Sequence, residues 1–289
     1  MKKKIYIHLG FPRTGTTALQ YELKKFKKIK LFSRNSDEDI KEFYSFLYKL
    51  IEFKKNKHSI KKLTKDFNKI KFNGKINVIS EEGLLSENYW RENNIYESIK
   101  VLSMIMKKSN FDYKFIIVIR NQYDLIKSIF NYFFISFFFQ KKIYNSKLIF
   151  EKKEYTNIVN SFDYFKLYNF LKKEKINFNF LIYENNHYSK FFNLLKLKTP
   201  INIKIRNNKI YSKYIESIRV WLKFNNFSIK NLLRFLNLIR RYLFLYFKEI
   251  FVKFFFYKNY INKTLIKNFY YKSNLKLSKF LNLPDDYYF

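Results

Sequence analysis

Residues Lys3–Thr17, KKIYIHLGFPRTGTT, carry the pattern that decides the fold. Lys3–Leu9 is short and largely apolar, which predicts a buried β-strand. Ala18–Lys28 has apolar side chains at helical spacing, which predicts a helix. The turn between them, Gly10–Thr17, contains two of the 4 glycines of the chain. The order is therefore strand, glycine-framed turn and helix.

The same order recurs along the chain. Three further apolar runs predict strands: Lys75–Ser80, Tyr113–Ile119 and Phe178–Tyr183. Helical patterns predict helices within 40–70, 92–108, 123–139 and 187–197, and the last third from Tyr211 on is predicted to be mostly helical. Strands that alternate with helices indicate an α/β fold with a central parallel sheet flanked by helices. Ligands bind at the carboxyl ends of such strands, where Gly10, Glu82 and Arg120 are expected.

The composition favours one folded domain over residues 1–289, with 201–265 as a helical insertion or acceptor-side region. Hydrophobic residues make up 47 % of the chain, enough for a large core, and no Gly/Ser/Pro linker divides it. The net charge of +35 suggests an anionic partner. Lys, Asn, Ile, Phe and Tyr are all enriched together, however, as AT-rich coding sequence produces. Cysteine is absent, which excludes disulfides and thiol nucleophiles.

The two glycines of the turn suggest a loop that binds a ligand. Gly10 and Gly15 permit left-handed backbone and close approach to a ligand. Such a turn directs backbone N–H groups and the positive end of a helix dipole at one point, which suits a phosphate. Thr14, Thr16 and Thr17 add hydroxyl donors, and Arg13 adds a cation.

The turn differs from the loop that binds nucleoside triphosphates, GxxxxGK[ST]. The glycine spacing is the same, but Thr16 occupies the lysine position and the cation is Arg13 within the loop. A donor without a γ-phosphate fits this arrangement better than ATP does.

The run IHLGFPRTGTTALQ closely resembles the 5′-phosphosulfate-binding loop of sulfotransferases that use 3′-phosphoadenosine 5′-phosphosulfate (PAPS). The resemblance implies a three-layer, P-loop-type fold and transfer of a sulfuryl group to a hydroxyl. It implies that the loop holds the 5′-phosphate and sulfate. The loop residues concerned are Gly10, Pro12, Arg13, Thr14, Gly15, Thr16 and Thr17.

Two further motifs extend the resemblance. IIVIRNQYDLIKSIFN is similar to the family's strand that ends in Arg and is followed by a helical Ser, which implies that Arg120 and Ser128 bind the 3′-phosphate. VISEEGLL is similar to the S-x-E-x-L pattern of bacterial and carbohydrate-directed members. A carboxylate there can take the proton of the acceptor hydroxyl. Glu82 is the expected general base, and Glu81 remains the alternative.

The remaining expectations concern metal, the acceptor and the location of the protein in the cell. No metal-ligand cluster is seen, and none is required. The acceptor is expected to be a carbohydrate of a surface polysaccharide or glycolipid. No secretion signal is seen at the N-terminus, so a cytoplasmic location is expected. The apolar segment Tyr242–Tyr257 is either a core helix or an interfacial helix that lies on an anionic membrane.

Two other functions remain open. A P-loop kinase would turn over ATP with magnesium, and a nucleic-acid-binding protein would use the net charge in salt-dependent binding. His8 lies within the first strand and is expected to be structural. Ser273 and Asn274 match an S-N-x-x-L pattern in the closing helix of the family.

Overall fold

The structure is a computed structural model that describes residues 3–11, 13–33, 41–51, 59–82, 84, 95–135, 150, 160–200 and 262–287. Every structural statement below concerns these residues. Residues 201–261 of the predicted helical region 201–265, with the segment Tyr242–Tyr257, lie outside them, as does Pro12.

Five parallel strands form one central sheet in the described part of the chain. The strands are β1 (Lys4–Gly10), β2 (Ile29–Phe32), β3 (Ile76–Ser80), β4 (Asp112–Ile119) and β5 (Phe178–Ile182), in the order β2-β3-β1-β4-β5. The strand β1 is central, so that Ile5 lies opposite Asn77 on one side and Tyr113 on the other. The predicted α/β class with a parallel sheet is confirmed.

Eight α-helices and one 3-10 turn are described. They are α1 (Thr16–Lys24), α2 (Lys41–Ile51), α3 (Ile60–Asn68), α4 (Ile95–Lys108), α5 (Gln122–Ile135), α6 (Tyr164–Lys173), α7 (His187–Leu194), α8 (Lys263–Ser278) and the turn Asp285–Tyr287. None of these helices is both long enough and apolar enough to cross a bilayer.

Side chains that alternate along β1 divide the core into two layers. Ile5, Ile7 and Leu9 pack with buried residues of α2, α3, α4, α5, α6 and α8. Tyr6 on the opposite face packs with residues of α1 and α7. Each fully buried apolar side chain contributes about 1.5–3 kcal/mol. Because both faces of the sheet are covered, its central strands are almost continuously apolar, as the sequence predicted.

The helices differ from the sequence prediction in three places. The predicted helix Ala18–Lys28 is shorter, because α1 ends at Lys24 and β2 begins at Ile29. The single helical region predicted within 40–70 is two helices, and Ser59 begins the second by accepting a hydrogen bond from the N–H of Lys62 at 3.2 Å. Helix α6 was not predicted. Its N-terminus is capped by Asp163, which accepts from the N–H of Lys166 at 3.1 Å.

Candidate functional site

The carboxyl ends of four strands lie at one edge of the sheet, and residues of the predicted site lie at three of them. Gly10 ends β1, Glu81 directly follows β3, and Arg120 directly follows β4. Tyr183 follows β5, and its N–H donates to the carbonyl of Ile119 at 2.8 Å. Since parallel strands all end on the same side, this edge is where a ligand of such a sheet is expected.

The loop after β1 turns tightly through left-handed backbone. Both Arg13 and Gly15 have positive φ, at 70° and 76°. Thr14 closes the turn, because its N–H and its hydroxyl both donate to the carbonyl of Phe11, at 3.2 and 2.6 Å. A left-handed arginine is uncommon, and the tight turn in which it lies holds it there.

Gly10 leaves room for two threonine hydroxyls. A Cβ atom on Gly10 would overlap with Thr16 Oγ1 and would lie 2.8 Å from Thr14 Oγ1. Within the described residues, Thr16 Oγ1 is buried and has no hydrogen-bond partner. Thr17 is half-buried in the first turn of α1. The loop therefore holds an unsatisfied buried hydroxyl directly beside a glycine.

The N-terminus of α1 is not neutralised by its own residues. Its N-cap is Gly15, which makes no side-chain capping hydrogen bond, and its first turn contains no acidic residue. The first N–H groups of a helix have no partners within the helix, and they carry a positive partial charge. The helix therefore presents donors and positive potential to the loop.

Two arginines and a serine meet at this loop. Arg13 Nε donates to Ser128 Oγ at 3.0 Å, and Arg120 Nη1 donates to the carbonyl of Arg13 at 2.8 Å. The structure thus brings together Arg13, Arg120 and Ser128, which the sequence placed in separate motifs. They form one basic cluster at the N-terminus of α1.

Arg120 is held by an aromatic residue that the sequence interpretation did not single out. Its guanidinium carbon lies 4.8 Å from the centre of the Tyr183 ring, a cation–π distance. Tyr164 donates from its hydroxyl to the Arg120 carbonyl at 2.8 Å. Among the described atoms, Arg120 Nε is buried and has no partner. Its N–H therefore remains a donor without a hydrogen bond.

A second tyrosine packs on the loop from α7. The Tyr188 hydroxyl donates to the carbonyl of Gly15 at 3.1 Å, and burial raises its pKa well above the usual value. His187 lies between the tyrosines, 4.7 Å from the ring centre of Tyr183 and 3.9 Å from that of Tyr188. Burial lowers the pKa of His187 to about 4, so the imidazole is neutral near pH 7.

The two candidate carboxylates differ in exposure. Glu81 is 3 % exposed, and its N–H donates to the carbonyl of His8 at 3.3 Å. Glu82 is half-buried and therefore more accessible to an acceptor. In the part of the chain that the structure describes, no group of three or more His, Asp or Glu side chains could hold a metal ion.

His8 is fully buried beneath the loop. Its Nδ1 is 2.8 Å from Ser80 Oγ, and Gln20 Nε2 donates to the Ser80 carbonyl at 2.9 Å. Burial, and secondly the charge of His187, lowers the pKa of His8 to about 3. His8 links β1, β3 and α1 and lies away from solvent, as a structural residue does.

The S-N pair of α8 is also structural. The Ser273 hydroxyl donates to the Asp163 carboxylate. The side-chain amides of Asn274 and Gln122 form a reciprocal pair at 2.8 and 3.1 Å. These bonds attach α8 to the starts of α5 and α6.

The similarity of this chain to known proteins lies in structure and not in sequence. No family model matches the chain, and no curated protein matches it. A crystal structure of a sulfotransferase from Alicyclobacillus acidocaldarius is similar over 83 % of this chain and 96 % of that chain, at 12 % sequence identity and a TM-score of 0.42. The function proposed below rests on the residues of the site and not on this similarity.

Proposed function

We propose that this protein is a sulfotransferase that moves a sulfuryl group from PAPS to a hydroxyl. One observation carries the proposal: Arg13, Ser128 and Arg120 meet beside the uncapped N-terminus of α1. Two guanidinium groups, a hydroxyl and the N–H groups at the start of α1 form a site for more than one anionic group.

The donors of the site fit a ligand with phosphate groups. Thr16 Oγ1 and Arg120 Nε are buried and have no partner among the described atoms. A buried donor without a partner costs roughly 1–3 kcal/mol, which a bound anion recovers. Gly10 provides the space, since a Cβ there would collide with the threonine hydroxyls.

The position of Thr16 favours a phosphosulfate donor over a triphosphate. Thr16 stands where a triphosphate-binding loop has its lysine. Its hydroxyl is buried against Gly10, so no cation extends from this position toward a γ-phosphate. The cation of the loop is Arg13, which is exposed and bonded to Ser128.

Each residue then has a defined task. Arg13 and the N–H groups at the start of α1 stabilise negative charge on the 5′-phosphate that leaves. Thr16 and Thr17 hold that phosphate, and Arg120 and Ser128 hold the 3′-phosphate. PAPS supplies the sulfuryl group on a phosphate leaving group. Catalysis is mainly positioning and electrostatic stabilisation.

Glu82 is the proposed base that takes the proton of the acceptor hydroxyl. Glu82 is partly exposed just after the carboxyl end of β3, which supports this choice over Glu81, which is buried. The test compares Glu82→Gln with Glu81→Gln in the release of sulfate from PAPS to water. We expect release at least tenfold slower in Glu82→Gln alone, with ligand binding retained. Loss in Glu81→Gln only would reassign the base.

The proposed acceptor is a sugar hydroxyl of a surface polysaccharide or glycolipid. The S-x-E-x-L pattern and the abundance of aromatic residues support a carbohydrate. The enzyme would act in the cytoplasm, with peripheral contact to an anionic membrane. Sedimentation with vesicles that contain anionic lipid tests this contact, and protein that stays wholly in the supernatant would rule it out.

Calorimetry with adenosine 3′,5′-bisphosphate tests the donor. We expect wild type to bind, and Arg120→Ala to lose about 100-fold in affinity, equivalent to about 2.7 kcal/mol. Lys4→Ala is the control, because it removes one positive charge at the opposite end of β1.

Other results would support another function. Magnesium-dependent ATP turnover without binding of the bisphosphate would indicate a kinase. Salt-dependent DNA binding that Arg13→Ala does not change would indicate a nucleic-acid-binding protein.

A further inference from the structure

The C-terminal turn, Asp285–Tyr287, is attached to the segment that carries Arg120. Tyr287 is 1 % exposed, and its hydroxyl donates to Glu184 Oε2 at 2.9 Å. Its backbone carbonyl accepts from Asn274 Nδ2 at 2.9 Å. The turn is therefore bound to the end of β5 and to α8.

Glu184 joins this turn to the end of β4. While Oε2 accepts from Tyr287, Oε1 accepts from the backbone N–H of Asn121 at 3.0 Å. Burial raises the pKa of this carboxyl, and the two hydrogen bonds oppose that shift. A carboxylate with one oxygen bonded to each of two segments restrains the distance between them.

Asn121 is the junction between Arg120 and α5. Its Oδ1 accepts from the N–H groups of Tyr123 and Asp124 at 3.0 and 3.3 Å, which caps the helix that carries Ser128. Its Nδ2 donates to the carbonyl of Asp286 at 2.6 Å. Asn121, which caps α5, is thus bonded directly to the C-terminal turn.

We infer that the C-terminal turn is a positioning element for the anion site, and that Tyr287 and Glu184 set the placement of Arg120 and Ser128. The inference rests on the proposed function for the identity of the ligand. Tyr164 holds the Arg120 carbonyl, and Glu184 holds the N–H of Asn121, so both polar groups of the peptide bond that follows Arg120 are held. Neither Tyr287 nor Glu184 needs to touch the ligand.

Tyr287→Phe tests the inference, because it removes one hydroxyl and keeps the ring. We expect adenosine 3′,5′-bisphosphate to bind about tenfold more weakly. We also expect the amides of Asn121, Tyr123 and Asp124 to exchange hydrogen faster in the absence of ligand. Glu184→Gln is expected to keep affinity within about threefold, because its amide can still accept from Asn121 and donate to the Tyr287 oxygen.

Tyr113→Phe is the matched control. Tyr113 is also buried, its hydroxyl lies 2.8 Å from Ser103 Oγ, and it is at the opposite end of the strand that leads to Arg120. We expect it to lower thermal stability to a similar extent and to leave both binding and the exchange at Asn121–Asp124 unchanged.

The outcomes separate the inference from the proposed function. Unchanged exchange in Tyr287→Phe, or an equal loss of affinity in Tyr113→Phe, would overturn the inference even if wild type binds the bisphosphate. If wild type does not bind, the proposed function fails, while the exchange of the unliganded protein still decides whether the turn holds Asn121.

A measurement on wild type avoids the risk that Tyr287→Phe does not fold. Coupling between two sites is reciprocal, so a ligand at Arg120 and Ser128 must also stabilise the C-terminal turn. We expect adenosine 3′,5′-bisphosphate to slow exchange of the Tyr287 amide, which is bonded to the Pro284 carbonyl at 3.0 Å. Binding without this protection would contradict the coupling.

Discussion

Arg13 donates from Nε to the hydroxyl of Ser128 at 3.0 Å, across 115 positions of the sequence. The loop after β1 and the helix after β4 therefore meet through a direct side-chain hydrogen bond. If the proposed function holds, the residues assigned to the two phosphates of the donor are coupled to each other and are not independent.

A double-mutant cycle tests this pairing. We expect Arg13→Ala and Ser128→Ala each to weaken the binding of adenosine 3′,5′-bisphosphate about tenfold, and the double variant to lose clearly less than 100-fold, because contacting residues are not additive. Calorimetry gives the four affinities. Lys127→Ala, the neighbour of Ser128 on α5, controls for damage to the helix, and strict additivity would contradict the pairing.

Gly10→Ala should abolish ligand binding. The added Cβ would overlap with Thr16 Oγ1 and press on Thr14 Oγ1, so the loop must open. Gly74→Ala is the matched control, since its Cβ would lie 2.6 Å from Lys30 Cβ near the start of β3, far along the chain from the loop. Both variants should melt at lower temperature, but only Gly10→Ala should lose binding. Equal loss in both would mean that destabilisation alone explains the effect.

Gly15→Ala should be destabilising for two separable reasons. Its φ of 76° is unfavourable for a residue with Cβ by roughly 1–2 kcal/mol, and the Cβ would overlap with the Tyr188 hydroxyl. Adding Tyr188→Phe removes the overlapping oxygen and should restore part of the lost stability. Urea unfolding of the two single variants and the double variant measures this. Because Tyr188→Phe also removes the hydrogen bond to the Gly15 carbonyl, the coupling between the two substitutions is compared; strictly additive losses would show that backbone strain is the whole cost.

His8 should make the protein less stable as the pH falls below about 6.5. The unfolded imidazole takes up a proton near its ordinary pKa of 6.5, whereas burial lowers the folded pKa to about 3. The unfolded state therefore binds more protons between these values, and folding loses up to about 1.4 kcal/mol per pH unit. Urea unfolding at pH 7 and pH 5 measures the slope.

His8→Asn provides the comparison, because the asparagine amide can replace Nδ1 beside Ser80 Oγ. The variant should unfold more easily at pH 7 and should show a smaller loss between pH 7 and pH 5. His187, whose pKa is lowered to about 4, contributes a further part of the slope. An unchanged slope in His8→Asn would refute the assignment to His8.

The strands that the sequence predicted are those whose own residues carry the strand pattern, without reference to the neighbouring strand. β1, β3, β4 and β5 are short apolar runs, each of which ends in a glycine or is followed by a polar residue at the carboxyl edge of the sheet. β2 was missed because it has four residues, of which only Leu31 and Phe32 are buried. Its strand conformation depends on pairing with β3, where Ile29 lies opposite Ile76, and no local pattern reveals that contact.

The charged half of the site was predictable, and its aromatic half was not. Glycine is so scarce here that Gly10 and Gly15 mark the loop, and Arg120 ends an obvious strand. Tyr183 and Tyr188 are two of 25 tyrosines, so their type carries no signal. Only their packing on Arg120 and Gly15 distinguishes them. Asp163, by contrast, is a typical N-cap residue directly before an apolar helical pattern, so the start of α6 could have been predicted.

The central place of β1 has a consequence for how the protein is made. β1 is bonded to β3 and to β4, and His8 and Ser80 are already 72 positions apart. Parallel pairing over such separations is slow, because long loops must close before contacts form. On the ribosome, β1 emerges well before either neighbouring strand. The loop after β1 is therefore synthesised before its partner strands and completed only after β4. Until β4 has followed, the emerging β1 has no strand on that side, and its unpaired edge is exposed to other chains.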